Sequence, residues 1–131
     1  MTQNVPSLKT LNGSFLDIDE KKQVGRLRFE PTQDMCNPRG FIQGGFVTAM
    51  LDDAAGLVCF ISTQREFTTS NLHIDFFHGT VPGEPVIATA TMVRAGLRQA
   101  IVDVELIRES DDKLLARGTV YQIFLDTQKK P

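Results

Sequence analysis

One long apolar segment constrains this chain more than any other feature of its sequence. From Gln43 to about Thr63, bulky apolar side chains recur at helical spacing, among them Phe46, Met50 and Leu57. The pattern predicts one helix of about five or six turns that is apolar over more than half of its circumference. A helix with so few charges is buried or wrapped by a sheet, so the rest of the chain has to cover it.

The segments on both sides of this helix carry strand patterns. Leu27 and Phe29 alternate with charged residues, which predicts the second arm of a hairpin that ends at Pro31. After the helix, runs separated by turns predict four more strands, over 72–76, 86–93, 100–107 and 114–125. The order predicts an α+β domain in which a curved antiparallel sheet lies against one long central helix. Because such a sheet leaves a face and edges uncovered, we expect a symmetric homodimer.

Length and charge narrow the class of protein. With 131 residues, the chain fits one domain over 1–131, and we expect tails over 1–11 and 126–131, with a short helix as the alternative for the first of them. A net charge of -2 without a basic stripe speaks against nucleic-acid binding.

Two further observations favour a cytoplasmic protein. The first 30 residues hold no apolar run long enough for a signal peptide, and Asp52 and Asp53 interrupt the one segment long enough to span a membrane, so we expect no membrane partner. Cys36 and Cys59 lack the spacing of a metal or redox motif and are interpreted as reduced thiols. No metal site is predicted.

The helix carries a carboxylate on its less bulky side. On a helical wheel, Asp52 falls opposite the centre of the bulky arc, among small residues that leave room for a ligand or a second chain. A sheltered carboxylate there suits acid–base chemistry, and the alternative is that it faces solvent or caps a loop. Asp53 falls beside Leu57 and Phe60, so we expect the two carboxylates to point in different directions.

The start of the helix is the second candidate site. Gly44 and Gly45 follow Gln43 and leave the first backbone N–H groups of the helix uncovered by side chains. These donors and the helix dipole could hold a carbonyl oxygen that gains negative charge, although a flexible or closely packed turn is the commoner use of paired glycines.

Taken together, these segments resemble the signature of the hotdog-fold thioesterases, and most of all the phenylacetate-pathway-like acyl-CoA thioesterases. The resemblance rests on Asn-Pro-Arg-Gly-Phe-Ile-Gln-Gly-Gly over 37–45 and Met-Leu-Asp-Asp-Ala-Ala-Gly over 50–56. In that family an Asn precedes a His-Gly-Gly by six positions and an Asp follows the His by nine, and Asn37, Gln43 and Asp52 keep these spacings. The resemblance covers about residues 12–125 and implies hydrolysis of acyl-CoA thioesters without a separate cofactor.

The resemblance implies a role for each matching residue. Asp52 matches the catalytic carboxylate, either a general base or a nucleophile, and the Gly44 amide matches the group that polarises the thioester carbonyl. Asn37 matches a residue that orients the thioester or its water. Thr69 matches a hydroxyl near the carboxylate of the partner subunit. The family's site lies at a dimer interface, and many members form dimers of dimers.

Further residues are candidates for substrate binding. Gly45 is expected to contact the substrate and Phe46 to shape the acyl pocket, with a plain core role as the alternative for Phe46. Arg94 and Arg98 could meet the phosphates of coenzyme A, and the alternative is a solvated surface. Gln43 departs from the family's usual His, and an amide cannot titrate near neutral pH. A coenzyme A thiolate can leave without strong protonation, so catalysis without that His is reasonable.

Three functions stay open at this point. The first is thioester hydrolysis, and the second is a non-catalytic acyl-CoA-binding module, which the missing His would favour. A hydratase is the third, and it lacks a His in the loop or the long helix. The acyl group, an acyl-carrier-protein thioester and the choice between dimer and tetramer are also open.

Overall fold

The computed structural model describes residues 5–126. A single antiparallel sheet of six strands surrounds one long helix, in the sheet order β1-β2-β4-β5-β6-β3. The elements follow one another as α1 (Pro6–Thr10), β1 (Gly13–Asp19), β2 (Val24–Phe29), a 3-10 turn (Gln33–Met35), α2 (Gly44–Thr63), β3 (Phe67–Phe76), β4 (Val86–Ala95), β5 (Gln99–Arg108) and β6 (Leu114–Phe124). The predicted order of a hairpin, one long helix and four strands is confirmed.

Helix α2 is buried on more of its circumference than the wheel predicts. The bulky residues Val47, Met50 and Leu51 are 3% exposed or less, as expected for the face against the sheet. Ala55 and Cys59, which share the face of Asp52 on the wheel, are also fully buried. The expected room beside Asp52 is therefore absent at Ala55, because the curved sheet covers the helix beyond its bulky arc, whereas Cys59 has the core position expected for it. By length and composition α2 would also pass as a membrane span, as core helices of folded domains often do.

Strand alternation places the core residues as the sequence predicts. On β5, Val102, Val104 and Leu106 face the helix and are 3% exposed or less, while the residues between them face outward. Gly118 on β6 has a special role, since a Cβ atom there would lie 1.9 Å from the backbone oxygen of His73 on β3. Only glycine allows the two strands to lie this close at that point.

The N-terminal segment is part of the folded domain from residue 5 onward. Helix α1 buries Leu8, and the following Leu11 is also buried, with exposed fractions of 7% and 3%. The prediction of a tail over 1–11 is wrong for this part, and the alternative of a short helix is confirmed, because these leucines cover one end of the core. Residues 1–4 and 127–131 of the predicted tails lie outside the described residues. Asp126 is held by Arg65, whose Nη2 donates to its carboxylate over 2.6 Å.

Strand β3 forms one edge of the sheet. It spans ten residues and pairs only with β6, so its other side presents backbone donors and acceptors without a strand beside them. Unlike many exposed edges, this strand is long and carries no lysine, arginine or proline that would block pairing. A second copy of the chain is one way to cover it.

Candidate active site

Asp52 and Thr69 form the polar centre of the candidate site. Asp52 is half-buried on α2, and its Oδ1 accepts a hydrogen bond of 2.7 Å from the hydroxyl of Thr69 on β3. The bond joins residues of one chain, and the expected contact of Thr69 with the carboxylate of a partner subunit stays a prediction. A hydroxyl held this way fixes the rotamer of the carboxylate and leaves its second oxygen open.

A β-bulge turns Thr69 toward the helix. The pairing of β3 with β6 shifts register between Thr69 and Asn71. Before the shift, Phe67 and Thr69 are the more buried residues of the strand. After the shift, the more buried residues are Leu72 and Ile74. Without the extra residue, strict alternation would place Thr69 on the outer face with His73, away from Asp52.

Asp52 and Thr69 open onto a cavity of about 400 Å³. Most of its wall is apolar, and its polar members are two carboxylates, two threonines and one amide. The cavity is lined by Val5, Leu8, Leu27, Asp52, Asp53, Gly56, Leu57, Phe60, Phe67, Thr68, Thr69 and Gln122. Its volume and apolar wall are typical of a pocket for a small organic group.

Asp53 lines the same cavity. Its Oδ1 accepts a hydrogen bond of 2.8 Å from the hydroxyl of Ser7 on α1, and its Oδ2 is buried without a partner. Burial raises the pKa of Asp53 above the usual carboxyl range, the bond from Ser7 opposes this, and the negative charge of Asp52 adds to it. The two carboxylates point in different directions, as expected, since Asp52 accepts from β3 and Asp53 from α1. Both residues nevertheless line the same cavity.

Gln122 is the site residue that sequence reasoning missed. It lies on β6, directly opposite Thr69 on β3, and is fully buried. Neither its amide nitrogen nor its amide oxygen has a hydrogen-bond partner. A signal was present in the sequence, since Gln122 stands between Val120 and Phe124 at positions of the same parity, where the strand pattern calls for an apolar residue.

The second part of the candidate site lies at the start of α2. Gln43 is the N-cap residue, its side chain does not cap the helix, and Gly44 and Gly45 provide the first helical amides, which have no partner within the helix. A Cβ atom on Gly44 would lie 3.4 Å from the ring of Phe76, which is an ordinary van der Waals contact, so an alanine side chain fits at this position. Gly45 has open space around it.

Asn37 organises the loop before the helix. Its Oδ1 accepts hydrogen bonds from the backbone N–H groups of Arg39 and Phe41, at 2.9 and 3.2 Å. Its backbone N–H donates to the oxygen of Phe41 over 2.7 Å, which closes the loop. In one chain Asn37 thus holds the backbone that leads into Gln43, and its side-chain NH2 group is the part left for a ligand.

The two parts of the site are too far apart to act together within one chain. Gly44 and Asp52 are eight residues apart on α2, which separates their backbones by about 12 Å along the helix axis. The atoms that attack and polarise one carbonyl group have to lie within about 3 Å of it. Gly44, Gln43 and Asn37 therefore form one group, and Asp52 and Thr69 form another.

The remaining predicted residues lie in two other hollows. Gly45 and Phe46 line a shallow groove with Gln43 on the outer side of the helix start. Arg94 and Arg98 line a cleft at the turn between β4 and β5, and neither makes a salt bridge within residues 5–126. The Phe124 N–H donates to the Arg98 oxygen over 2.9 Å, so this cleft lies at the same end of the sheet as Gln122.

Arg65 supports the arginine cleft and was not predicted. Its guanidinium stacks over the Phe124 ring at 3.7 Å from the centroid and donates to the Leu97 oxygen over 2.9 Å. It thereby ties the turn between β4 and β5 to the end of α2. A sequence pattern could not reveal this, because the partners of Arg65 lie about 30 or more positions away in the chain.

Known proteins share both the sequence pattern and the fold. The sequence pattern of the thioesterase superfamily matches residues 39–115. The medium/long-chain acyl-CoA thioesterase YigI of Escherichia coli K12 is 28% identical over 120 residues, which cover 79% of this chain and 77% of that protein. The family match includes α2, which carries Asp52 and Asp53, and β3, which carries Thr69.

Two solved structures superimpose closely. A phenylacetic acid degradation-related protein of Ralstonia eutropha JMP134, described as a thioesterase, has a TM-score of 0.85 and 27% identity, with 94% of this chain and 96% of that chain covered. A Streptococcus mutans protein solved with acetyl-CoA bound has a TM-score of 0.79 and 22% identity, with 86% and 88% covered. The predicted hotdog architecture is confirmed, and the match over more than half of its length shows that the chain belongs to the thioesterase superfamily.

Proposed function

We propose that the protein hydrolyses acyl-CoA thioesters to the free acid and coenzyme A, with Asp52 as the catalytic carboxylate. The observation that carries the proposal is the bond from Thr69 to Asp52 in the wall of a largely apolar cavity of about 400 Å³. A binding pocket for an acyl chain has no need of two carboxylates in its wall, whereas a hydrolase needs one to activate water or attack the thioester.

The relatives support this substrate class. YigI is named for its action on medium- and long-chain acyl-CoA, and the Streptococcus mutans protein binds acetyl-CoA in its solved structure. Coenzyme A belongs to the substrate, so the scheme requires no cofactor. We also propose a cytoplasmic location, with which two free thiols are consistent.

The active site is proposed to form between two copies of the chain. The separation of about 12 Å along α2 keeps Gly44 and Asp52 of one chain from meeting at one carbonyl group. A two-fold axis would place Gly44 of one copy beside Asp52 of the other and create the site twice. The uncovered edge of β3, next to Thr69, offers a surface on which a second copy can pair, and the resulting dimers could pair again into a tetramer.

In the general-base route, Asp52 and Thr69 of one copy act together with the Gly44 N–H of the other. As a general base, Asp52 takes a proton from water while the water oxygen attacks the thioester carbon, and Thr69 keeps the carboxylate in place. The carbonyl oxygen gains negative charge and is held by the Gly44 N–H at the positive end of the α2 dipole. The C–S bond then breaks, and coenzyme A leaves as a thiolate that takes the proton.

Direct attack is the alternative route. The carboxylate would form a mixed anhydride and expel the thiolate, and water would then hydrolyse the anhydride. A single turnover in ¹⁸O-labelled water separates the routes: a general base places the label in the product acid, while water attack on the Asp52 carbonyl of the anhydride places it in the protein. Neither route requires Gln43 to accept or release a proton, so its amide serves as a hydrogen-bond donor or holds the loop.

Other residues have supporting roles in the proposal. Asn37 presents its side-chain NH2 group to the thioester or its water, while its oxygen holds the loop. Gly45 and Phe46 line the approach at the helix start. Arg94 and Arg98 offer their guanidinium groups to the coenzyme A phosphates.

The first experiment measures thiol release from a panel of alkyl- and aryl-CoA thioesters with wild type and Asp52→Asn. We expect the substitution to lower kcat by about 10³-fold or more while the melting temperature changes little. Asp103→Asn, an exposed aspartate on the outer face of the sheet, is the matched control. Binding of acyl-CoA by wild type without any thiol release would reject hydrolysis and favour a binding module.

A mixing experiment tests the two-chain site. Gly44→Pro removes one amide donor and Asp52→Asn removes the carboxylate, so each variant alone should be nearly inactive. Random reassociation of the two should restore about a quarter of the wild-type activity, because half of the dimers are mixed and each has one intact site. Absence of recovery in dimers shown to be mixed would mean that both groups act from one chain.

A further inference from the structure

The cavity contains polar atoms that the protein itself does not satisfy. Within residues 5–126, three buried side-chain atoms lack a hydrogen-bond partner: Oδ2 of Asp53 and both amide atoms of Gln122. All three belong to residues that line the same cavity. Buried polar groups are almost always paired, so a cluster of three in one cavity calls for an outside partner.

Gln122 is an unfavourable choice for packing alone. Its neighbours of the same parity on β6, Val120 and Phe124, are fully buried and apolar. A leucine or methionine would fill the same space without an unpaired amide. Keeping a glutamine there lowers the stability of the empty protein, which is understandable if a ligand supplies the missing hydrogen bonds.

The place of Gln122 limits where that ligand group can be. Gln122 is the strand partner of Thr69, and paired residues of antiparallel strands have Cα atoms about 5 Å apart. Thr69 in turn donates to Asp52 over 2.7 Å. The unpaired amide therefore lies near the Asp52 carboxylate, and the cavity wall also includes the apolar residues Leu8, Leu27 and Phe60.

On the basis of the proposed function, we infer that Gln122 is a specificity-determining residue, which selects acyl groups with a hydroxyl substituent within the first few carbons of the thioester. The free Oδ2 of Asp53 takes part in the same contact. The remainder of the acyl group is a hydrocarbon chain that fits the apolar wall.

A hydroxyl group matches these atoms in number and kind. It can accept from the Gln122 NH2 group and donate to the Gln122 oxygen or to Oδ2 of Asp53. A plain hydrocarbon at the same position would leave all of them unpaired. Sites built to hydrogen-bond a substrate hydroxyl discriminate strongly against analogues that lack it, because the protein groups then stay buried and unsatisfied.

The test measures binding without turnover. Isothermal titration calorimetry with Asp52→Asn protein compares octanoyl-CoA, 3-hydroxyoctanoyl-CoA in each enantiomer and 8-hydroxyoctanoyl-CoA. We expect one 3-hydroxy enantiomer to bind about tenfold or more tightly than octanoyl-CoA, and the 8-hydroxy compound to gain nothing. Equal affinities for all four compounds, or the same gain for the 8-hydroxy compound, would overturn the inference.

A second variant assigns the preference to Gln122. Gln122→Met in the Asp52→Asn protein keeps the volume and removes both amide atoms, so the preference should fall to near unity and the melting temperature should rise. Gln33→Met, at an exposed glutamine, should leave the preference unchanged. A preference that survives Gln122→Met also overturns the inference. Because no step requires turnover, a failure of thioester hydrolysis in wild type is a separate result.

Discussion

The start and the middle of α2 differ in how their polar groups are held. At the start, Asn37 closes its loop through bonds to residues two and four positions away. In the middle, Asp52 is held by Thr69 from 17 positions away and Asp53 by Ser7 from 46 positions away. The first region is a local motif that presents open backbone donors, and the second exists only when distant elements pack together.

The two regions of α2 therefore have different structural requirements. The helix start needs only correct backbone conformation to present its N–H groups, and two glycines and an N-cap residue provide it. The carboxylate region needs shelter from water, which only the sheet and α1 can give. Variants of the first region should therefore affect catalysis with little effect on stability, and some variants of the second should affect stability as well.

Gly44→Pro is the sharpest test of the helix start. Proline is tolerated at the first position of a helix and lacks an N–H group, so the variant removes the donor and keeps the helix. We expect kcat for thioester hydrolysis to fall by about 10²-fold or more, with little change in thermal unfolding. Gly44→Ala retains the N–H and is the matched control. Full activity in the proline variant would exclude the Gly44 amide as the carbonyl-polarising group.

Thr69→Val should have a smaller effect on activity. Valine keeps the shape and removes the hydroxyl, so Asp52 loses its bond of 2.7 Å and its fixed orientation. We expect kcat to fall about tenfold with a smaller change in KM, and Thr69→Ser to retain most of the activity. If valine and serine behaved alike, the hydroxyl would have no part in placing the carboxylate.

Asp53→Asn should have the smallest effect and act on stability. Because burial raises the pKa of Asp53, the folded chain binds its proton more readily than the unfolded chain. Stability therefore falls as the pH rises from the ordinary carboxyl pKa through the raised value, and the full cost is present at neutral pH. A neutral asparagine avoids that cost and can still accept from Ser7.

The corresponding measurement is thermal unfolding at two pH values. We expect Asp53→Asn to raise the melting temperature by a few degrees at pH 7 and by much less near pH 4. Asp103→Asn, an exposed carboxylate, should show no such gain. A gain of equal size at both pH values would mean that packing, and not the charge of Asp53, sets the difference.

Sequence patterns predicted the elements better than the contacts of the site. The apolar periodicity of 43–63 and the strand runs after it were sufficient for the order of elements, because period and burial are linked within each element. The same wheel placed Ala55 on a face with room for a ligand or a second chain, yet Ala55 is fully buried. A wheel describes one helix and contains no information on how far a curved sheet reaches around it.

The candidate site shows the same limit. The helical wheel marked Asp52 and the paired glycines marked Gly44, while the resemblance to the family added Asn37 and Gln43. The relation of these residues is fixed by one loop and one helix. Because an α-helix rises by about 1.5 Å per residue, Gly44 and Asp52 of one chain lie too far apart to act on the same carbonyl group. The resemblance supplied Thr69, but only the fold shows that its hydroxyl donates to Asp52 of the same chain.

By itself, the sequence determined one long buried helix, the strands around it and a loop with an open helix start, because each depends on a local period or a local turn. The tertiary structure alone decided that a bulge after Thr69 turns this hydroxyl inward to Asp52, and that Gln122 and Asp53 line the same cavity. The physical reason is that register and cavity walls arise from pairing between strands and helices distant in the chain, which no local pattern encodes.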